Sequence, residues 1–195
     1  GNTMTNNQYN FGIDGQVLED FIQTIDSSNK VDTKPIRYFV DKHDENVSGN
    51  SGFVALVNSD NMNVTDLTLT KNSYGLLLVN TNYSRIENLD ISDNERYGIL
   101  LRSSHRNEIT SSIIRSSKKN DCIHLEASSN NVISENTIGP NSVDGISLHT
   151  SSGNEIKNNI IQYINQYSIH IFDSNNNTVD SNNITEYENV GIYLE

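Results

Sequence analysis

The chain has 195 residues, enough for one domain with a substantial core. Its 13 basic and 25 acidic residues leave a net charge of −12. That balance argues against nucleic acid and anionic membranes as partners, since both are held by clustered Lys and Arg. No apolar run reaches the roughly 20 residues that span a bilayer, so no membrane insertion is expected, and the single cysteine, Cys122, leaves no disulfide framework.

Residues 1–14 read as a partial first coil of a repeat. The run Asn2-Thr3-Met4-Thr5-Asn6-Asn7 resembles the later part of a unit, as in a segment cut from a longer chain without its signal peptide. Residues 15–51 carry no repeat. Val17, Leu18, Phe21, Ile22 and Ile25 recur at helical spacing and predict one helix. Asp26-Ser27-Ser28-Asn29 reads as its stop. After Pro35, Ile36, Tyr38 and Val40 alternate as a strand, and Asp41 to Glu45 reads as a hydrophilic loop holding His43.

Residues 52–195 hold six units of about 23 residues. Val64, Ile86, Ile109, Ile133, Ile156 and Val179 recur at steps of 22, 23, 24, 23 and 23, and Leu69, Ile91, Ile114, Ile138, Ile161 and Ile184 repeat the same steps. In each unit a glycine-led strand adds two more apolar positions, two residues apart: Leu76/Leu78, Ile99/Leu101, Ile123/Leu125, Ile146/Leu148, Ile169/Ile171 and Ile192/Leu194. Four aliphatic residues per unit share one axis only if the chain closes once per period. The expected fold is an all-β, right-handed parallel β-helix with three short strands per coil. A leucine-rich repeat lacks support, because β-branched residues dominate and no L-x-x-L-x-L pattern occurs. Asn136, Asn159 and Asn182, one coil apart, predict an amide ladder inside a bend.

The segments Lys34-Pro35-Ile36-Arg37-Tyr38-Phe39-Val40 and Gly52-Phe53-Val54-Ala55-Leu56-Val57-Asn58, followed by N-x-I-x-x-N-x-I units, resemble the NosD-like parallel β-helix family, which includes many archaeal cell-surface proteins. The resemblance spans nearly the whole chain. It departs at Thr33, where a glycine is expected. It implies a β-helix in an extracellular or cell-surface setting and belongs to a wider carbohydrate-binding and sugar-hydrolase group. Five N-x-S/T sequons, at Asn46, Asn63, Asn82, Asn176 and Asn183, agree with that setting. The copper-site accessory role of NosD itself finds no counterpart here, with one Cys and two Met.

The outward columns of the glycine strand carry the candidate chemistry. One column reads Leu77, Leu100, His124, Ser147, His170, Tyr193; the other reads Val79, Arg102, Glu126, His149, Phe172, Glu195. Apolar residues in the lower coils give way to polar and aromatic ones. Arg102, His124, Glu126, His149, His170, Phe172 and Tyr193 are the carbohydrate-binding candidates, with rings to stack on sugar faces and Arg102 to hold a uronate. Asp121 and Asp144, in the bend before the strand in adjacent coils, are the catalytic candidates, because paired carboxylates hydrolyse glycosides. No metal site and no cofactor are expected: the three histidines start about 8–10 Å apart, and a shared metal needs their nitrogens at about 2.1 Å.

The reading is a structural and/or carbohydrate-binding surface module. The alternatives are a polysaccharide hydrolase or lyase and an accessory scaffold. The expected partners are a polysaccharide, or a second copy stacked end to end on the open last coil.

Overall fold

The computed structural model describes residues 1–115, 120–140 and 142–195. The described chain winds into a right-handed parallel β-helix with sheets of ten, six and seven strands. Each full coil between Phe53 and Tyr187 contributes one strand to each sheet. In the unit around Gly98 these are Ile99–Arg102 in the long sheet, Glu108–Thr110 in the seven-stranded sheet and Ile113–Ile114 in the six-stranded sheet. Register is fixed by the period: Ile99 pairs with Leu76 and Ile123, Ile109 with Ile86 and Ile133, and Ile114 with Ile91 and Ile138. The columns read from the sequence as inward-facing join one continuous core from Val47 and Val54 up to Ile171, with Val179 and Ile184 partly buried and Ile192 and Leu194 exposed at its upper end.

The coils close because backbone bends and side-chain ladders recur with the period. One residue per coil takes a left-handed conformation before the six-stranded sheet: Asp66, Asn88, Ser111, Glu135, Asn158 and Ser181. Only some of these are the residue types that favour it, so the stack imposes the bend. The expected amide ladder forms one position later. Asn136 Nδ2 donates to Asn159 Oδ1 at 3.1 Å, and Asn159 Nδ2 to Asn182 Oδ1 at 2.9 Å. A second amide ladder runs Asn107–Asn131–Asn154–Asn177. A hydroxyl ladder rises from Ser104 through Ser128 and Ser151 to Ser174, each Oγ accepting the backbone N–H one coil below. These buried polar side chains satisfy bend N–H and C=O groups that no sheet ladder reaches.

Glycines recur before the long-sheet strand because the coils touch there. A Cβ on Gly98 would lie 2.5 Å from the Cys122 carbonyl oxygen, and one on Gly145 would lie 2.5 Å from that of Ser168. Cys122 shares this column; it is buried, and its Sγ contacts Ser142 Oγ at 3.3 Å.

The N-terminal region departs from the expected helix. Helical geometry covers only Leu18–Phe21. The Asp20 carboxylate folds back onto the N–H groups of Gln16 and Val17, at 2.7 and 3.1 Å, and the chain leaves the helix at Ile22. Leu18, Phe21 and Ile25 pack on the sheet from a single turn, while Val17 and Ile22 stay exposed. Strand Lys34–Val40 already pairs in parallel with Phe53–Val57, and Asn46–Ser48 with Asn63–Thr65, so stacking begins upstream of residue 52. Lys30–Val31 turns back onto Lys34–Pro35, and Thr3–Met4 adds beside it, finishing the lower edge of the long sheet. The two turn residues, Asp32 and Thr33, have φ of 45° and 70°. This explains why glycine is expected at Thr33: the tight hairpin demands φ > 0, and a β-branched residue resists it.

This N-terminal segment also accounts for the apolar outward residues of the lower coils. Phe21, Val31 and Ile36, with the partly buried Met4, Phe11, Leu18 and Ile25, form a second core over Phe53, Ala55, Val57, Leu77, Val79 and Leu100. Phe11 packs on Phe53 at 4.7 Å between ring centroids, and the Tyr38 hydroxyl donates to the Phe21 carbonyl at 2.6 Å.

Candidate functional site

Above Leu100 the described residues place no segment over the long sheet, and its outward columns hold the half-buried His124, Glu126, His149, His170 and Phe172 around a buried Ser147. The strands Ile123–Glu126, Asp144–His149 and Tyr167–Phe172 lie side by side with His124 against Ser147, Ser147 against His170, and His149 against Phe172. The candidate residues therefore share one face, in the predicted columns.

Their side chains pair off. Asp121 and Asp144 are 7% and 5% exposed, and each supports a histidine. Asp121 Oδ2 lies 2.9 Å from His124 Nδ1 within one coil. Asp144 Oδ2 lies 3.0 Å from Nδ1 of His170, one coil above. The second oxygens cap bend amides: Asp121 Oδ1 accepts from the Asp144 N–H at 3.3 Å, and Asp144 Oδ1 from the Tyr167 N–H at 3.0 Å. Burial, reinforced by the charge of Asp121, pushes the Asp144 carboxyl above the ordinary range. His170 Nε2 lies 3.3 Å from Glu195 Oε1, so both its nitrogens face carboxylates.

Rings line the same strip. Tyr97 stacks beneath His124 at 4.5 Å and on Tyr74 at 6.1 Å, and Tyr167 stacks on Tyr193 at 4.6 Å. Burial holds the Tyr97 phenol at about 12, so it remains a donor. Phe172 packs at a tilt against His149, 4.8 Å away. Phe172 and Tyr193 thus each have a ring neighbour along the stack. Arg102 is drawn to the lower border: its guanidinium pairs with Glu126 at 2.7 Å, reaches the Gly15 carbonyl and lies 5.7 Å from the centre of the Phe21 ring. These contacts tie the N-terminal segment to the lower border of the face. An open cleft of about 730 Å³ lies beside it, between residues 14–23 and Arg102.

The tyrosine column and the Asp–His pairing are the parts that sequence reasoning missed. Their signal is an Asp in the bend column followed by a His in the outward column of the same coil or the next. Chemically, each pair is a carboxylate-oriented imidazole. A carboxylate accepts, so Nδ1 is the nitrogen each ring turns to its aspartate, leaving Nε2 of His124 toward the outer face and Nε2 of His170 toward Glu195. The two carboxylates are buried, each bonded to a histidine ring and a bend amide.

The family described as "Right handed beta helix region" matches residues 47–195, and the chain belongs to it. No curated protein matches the chain. Among solved structures, the Dettilon tailspike protein (gp208) is similar with a TM-score of 0.65 at 17% identity, over 85% of this chain and 42% of the tailspike. The alginate lyase from Paenibacillus sp. str. FPU-7 has a TM-score of 0.45 at 16% identity, over 72% of this chain and 79% of the lyase. The periplasmic alginate epimerase AlgG has a TM-score of 0.46 at 13% identity, over 77% and 55%. The chain spans less than half of the tailspike, and at such identity the likeness is one of fold.

Proposed function

We propose that this right-handed β-helix protein is a glycan-recognition module of the NosD-like, extracellular or cell-surface type, and that it binds a polysaccharide on the long-sheet face above Leu100. One observation carries the reading: imidazoles, each held by a buried carboxylate, stand beside stacked tyrosines at coils that no described segment covers. Fixed polar groups beside ring edges suit sugar hydroxyls and C–H faces, and the supporting carboxylates remove the cost of orienting each imidazole on binding. The likeness to the tailspike supports the fold underlying this reading and not the ligand. The resemblance of the Lys34–Val40 and Phe53–Val57 strands to NosD-like segments supports the surface type, as do the exposed sequon residues Asn46, Asn176 and Asn183.

Native mass spectrometry against pooled oligosaccharides tests it. The expected result is intact adducts that vanish with His124→Ala and persist with His43→Ala, since His43 sits in a loop far along the chain beside Asp60. Shortened products lost with His124→Ala would instead make the same imidazole an acid–base catalyst. An empty spectrum across the panel would leave an accessory scaffold as the account.

A further inference from the structure

Ser147 is the one small side chain in its outward column above Leu100. In register, His124 stands one coil below it and His170 one coil above, with Tyr193 beyond. Two strand spacings separate the imidazoles, so they start about 9–10 Å apart with the serine midway. A serine side chain ends one atom past Cβ, which sets its hydroxyl at the floor of a notch walled by two rings. Both rings are fixed. His124 is held by Asp121 and by stacking on Tyr97, and His170 by Asp144 and Glu195 with Tyr167 and Tyr193 beside it. His149, two residues further along the Ser147 strand, borders the notch with its neighbour Phe172.

The Ser147 hydroxyl has no hydrogen bond among the described residues, although the residue is only 7% exposed. Buried hydroxyls elsewhere in the coils are engaged: Ser104, Ser128 and Ser151 each donate to a carbonyl two residues back. The hydroxyls of Ser51 and Ser168 are also unpaired, but both are enclosed. Of these three, Ser147 is the one in an outward column above Leu100, where an incoming group meets it. A polar group nearly removed from water and left unpaired is costly, and a ligand hydroxyl that bonds to it removes that cost.

Reach decides which hydroxyl that is. A sugar ring lying across the imidazoles keeps its ring hydroxyls level with them. An exocyclic hydroxymethyl group extends one carbon further, to the recessed floor, and like serine it both donates and accepts. We propose that Ser147 is the specificity-determining residue of this face: it binds the hydroxymethyl group of a hexose, so hexose chains are preferred over pentose chains, which lack that group. This rests on the glycan-recognition reading above and names its substrate class.

Isothermal titration calorimetry tests it, with gluco-, manno- and xylo-oligosaccharides of equal length and linkage as probes. The expected result for the wild type is binding of the better hexose probe about tenfold tighter than of the xylo probe, the worth of one well-placed hydrogen bond. Ser147→Ala should lose that factor for the hexose and leave the xylo probe unchanged. Ser147→Val, which suits a strand and also fills the notch, should abolish the preference too. Wild-type binding of the xylo probe as tight as the best hexose would overturn the proposal without recourse to a variant. A hexose preference that survives both substitutions would overturn Ser147 as its cause. Either result leaves glycan recognition intact, whereas no heat from any probe would overturn the reading on which the proposal rests.

Discussion

Replacing Asn131 by alanine tests the claim that ladders of amides hold the coils closed. Asn131 Oδ1 accepts the backbone N–H of Asn107 at 2.8 Å and its Nδ2 at 3.1 Å. Asn131 Nδ2 donates to the Ser104 carbonyl at 3.0 Å and to Asn154 Oδ1 at 3.1 Å. All of these residues are buried. The Asn154 oxygen keeps the Asn131 backbone N–H at 2.7 Å and Asn107 Nδ2 keeps the Thr81 carbonyl at 2.8 Å, so Asn131→Ala strands the Asn107 backbone N–H and the Ser104 carbonyl. Each buried group left unpaired costs about 1–3 kcal/mol, and partial relaxation brings the total to about 3–5 kcal/mol. At about 2–4 °C per kcal/mol for a chain of this size, the melting temperature should fall by roughly 10 °C. Asn177→Ala, at the half-buried upper end of the ladder, should cost about 1 kcal/mol, because water replaces what it loses. Chemical denaturation followed by circular dichroism measures both. A cost below about 1 kcal/mol for Asn131→Ala, or equal costs at the two sites, would refute the ladder as a source of stability.

Phe21→Ala should release the N-terminal segment, since Phe21 is 1% exposed and central to the second core. The expected loss is about 3–5 kcal/mol of packing, read as new protease cleavage within residues 15–31 while residues 52–195 resist. Thr33→Gly should raise stability by about 1 kcal/mol by relieving φ of 70°, and an unchanged or lowered melting temperature would show the turn to be unstrained. Asp144→Asn should stabilise more at pH 7 than at pH 4. The folded pKa of Asp144 is raised, so the native state binds more protons there, and wild-type stability falls as pH rises from the unfolded value through the folded one. An equal effect at the two pH values in urea titrations would contradict that shift.

The coil columns were legible because a strand's two-residue alternation and a 23-residue period can both be counted along the chain. Leu77, Val79 and Leu100 mark the limit of that reading. They stand in outward columns and are buried, because Phe21 and its neighbours arrive from a segment without any repeat. The helix expected from Val17 to Ile25 shrank to one turn for the same reason: its apolar residues answer to a flat sheet, and tertiary packing overrides helical spacing. At the site, the shared face of His124, His149 and His170 was legible from the period. The partners of Arg102 were not, since Gly15 and Phe21 lie more than eighty residues away in sequence. The stacking of Tyr97 under His124 depends on side-chain direction across coils, which no column of letters encodes.

The most direct test of glycan recognition at this face is a long-range proton–nitrogen correlation spectrum of the imidazoles, recorded at pH 7.5 while a neutral oligosaccharide is titrated in. The account predicts that the His124 ring signals move and saturate, while those of His43 and His105 stay in place. Movement confined to His43 or His105, or His124 ring signals indifferent to sugar, would contradict it.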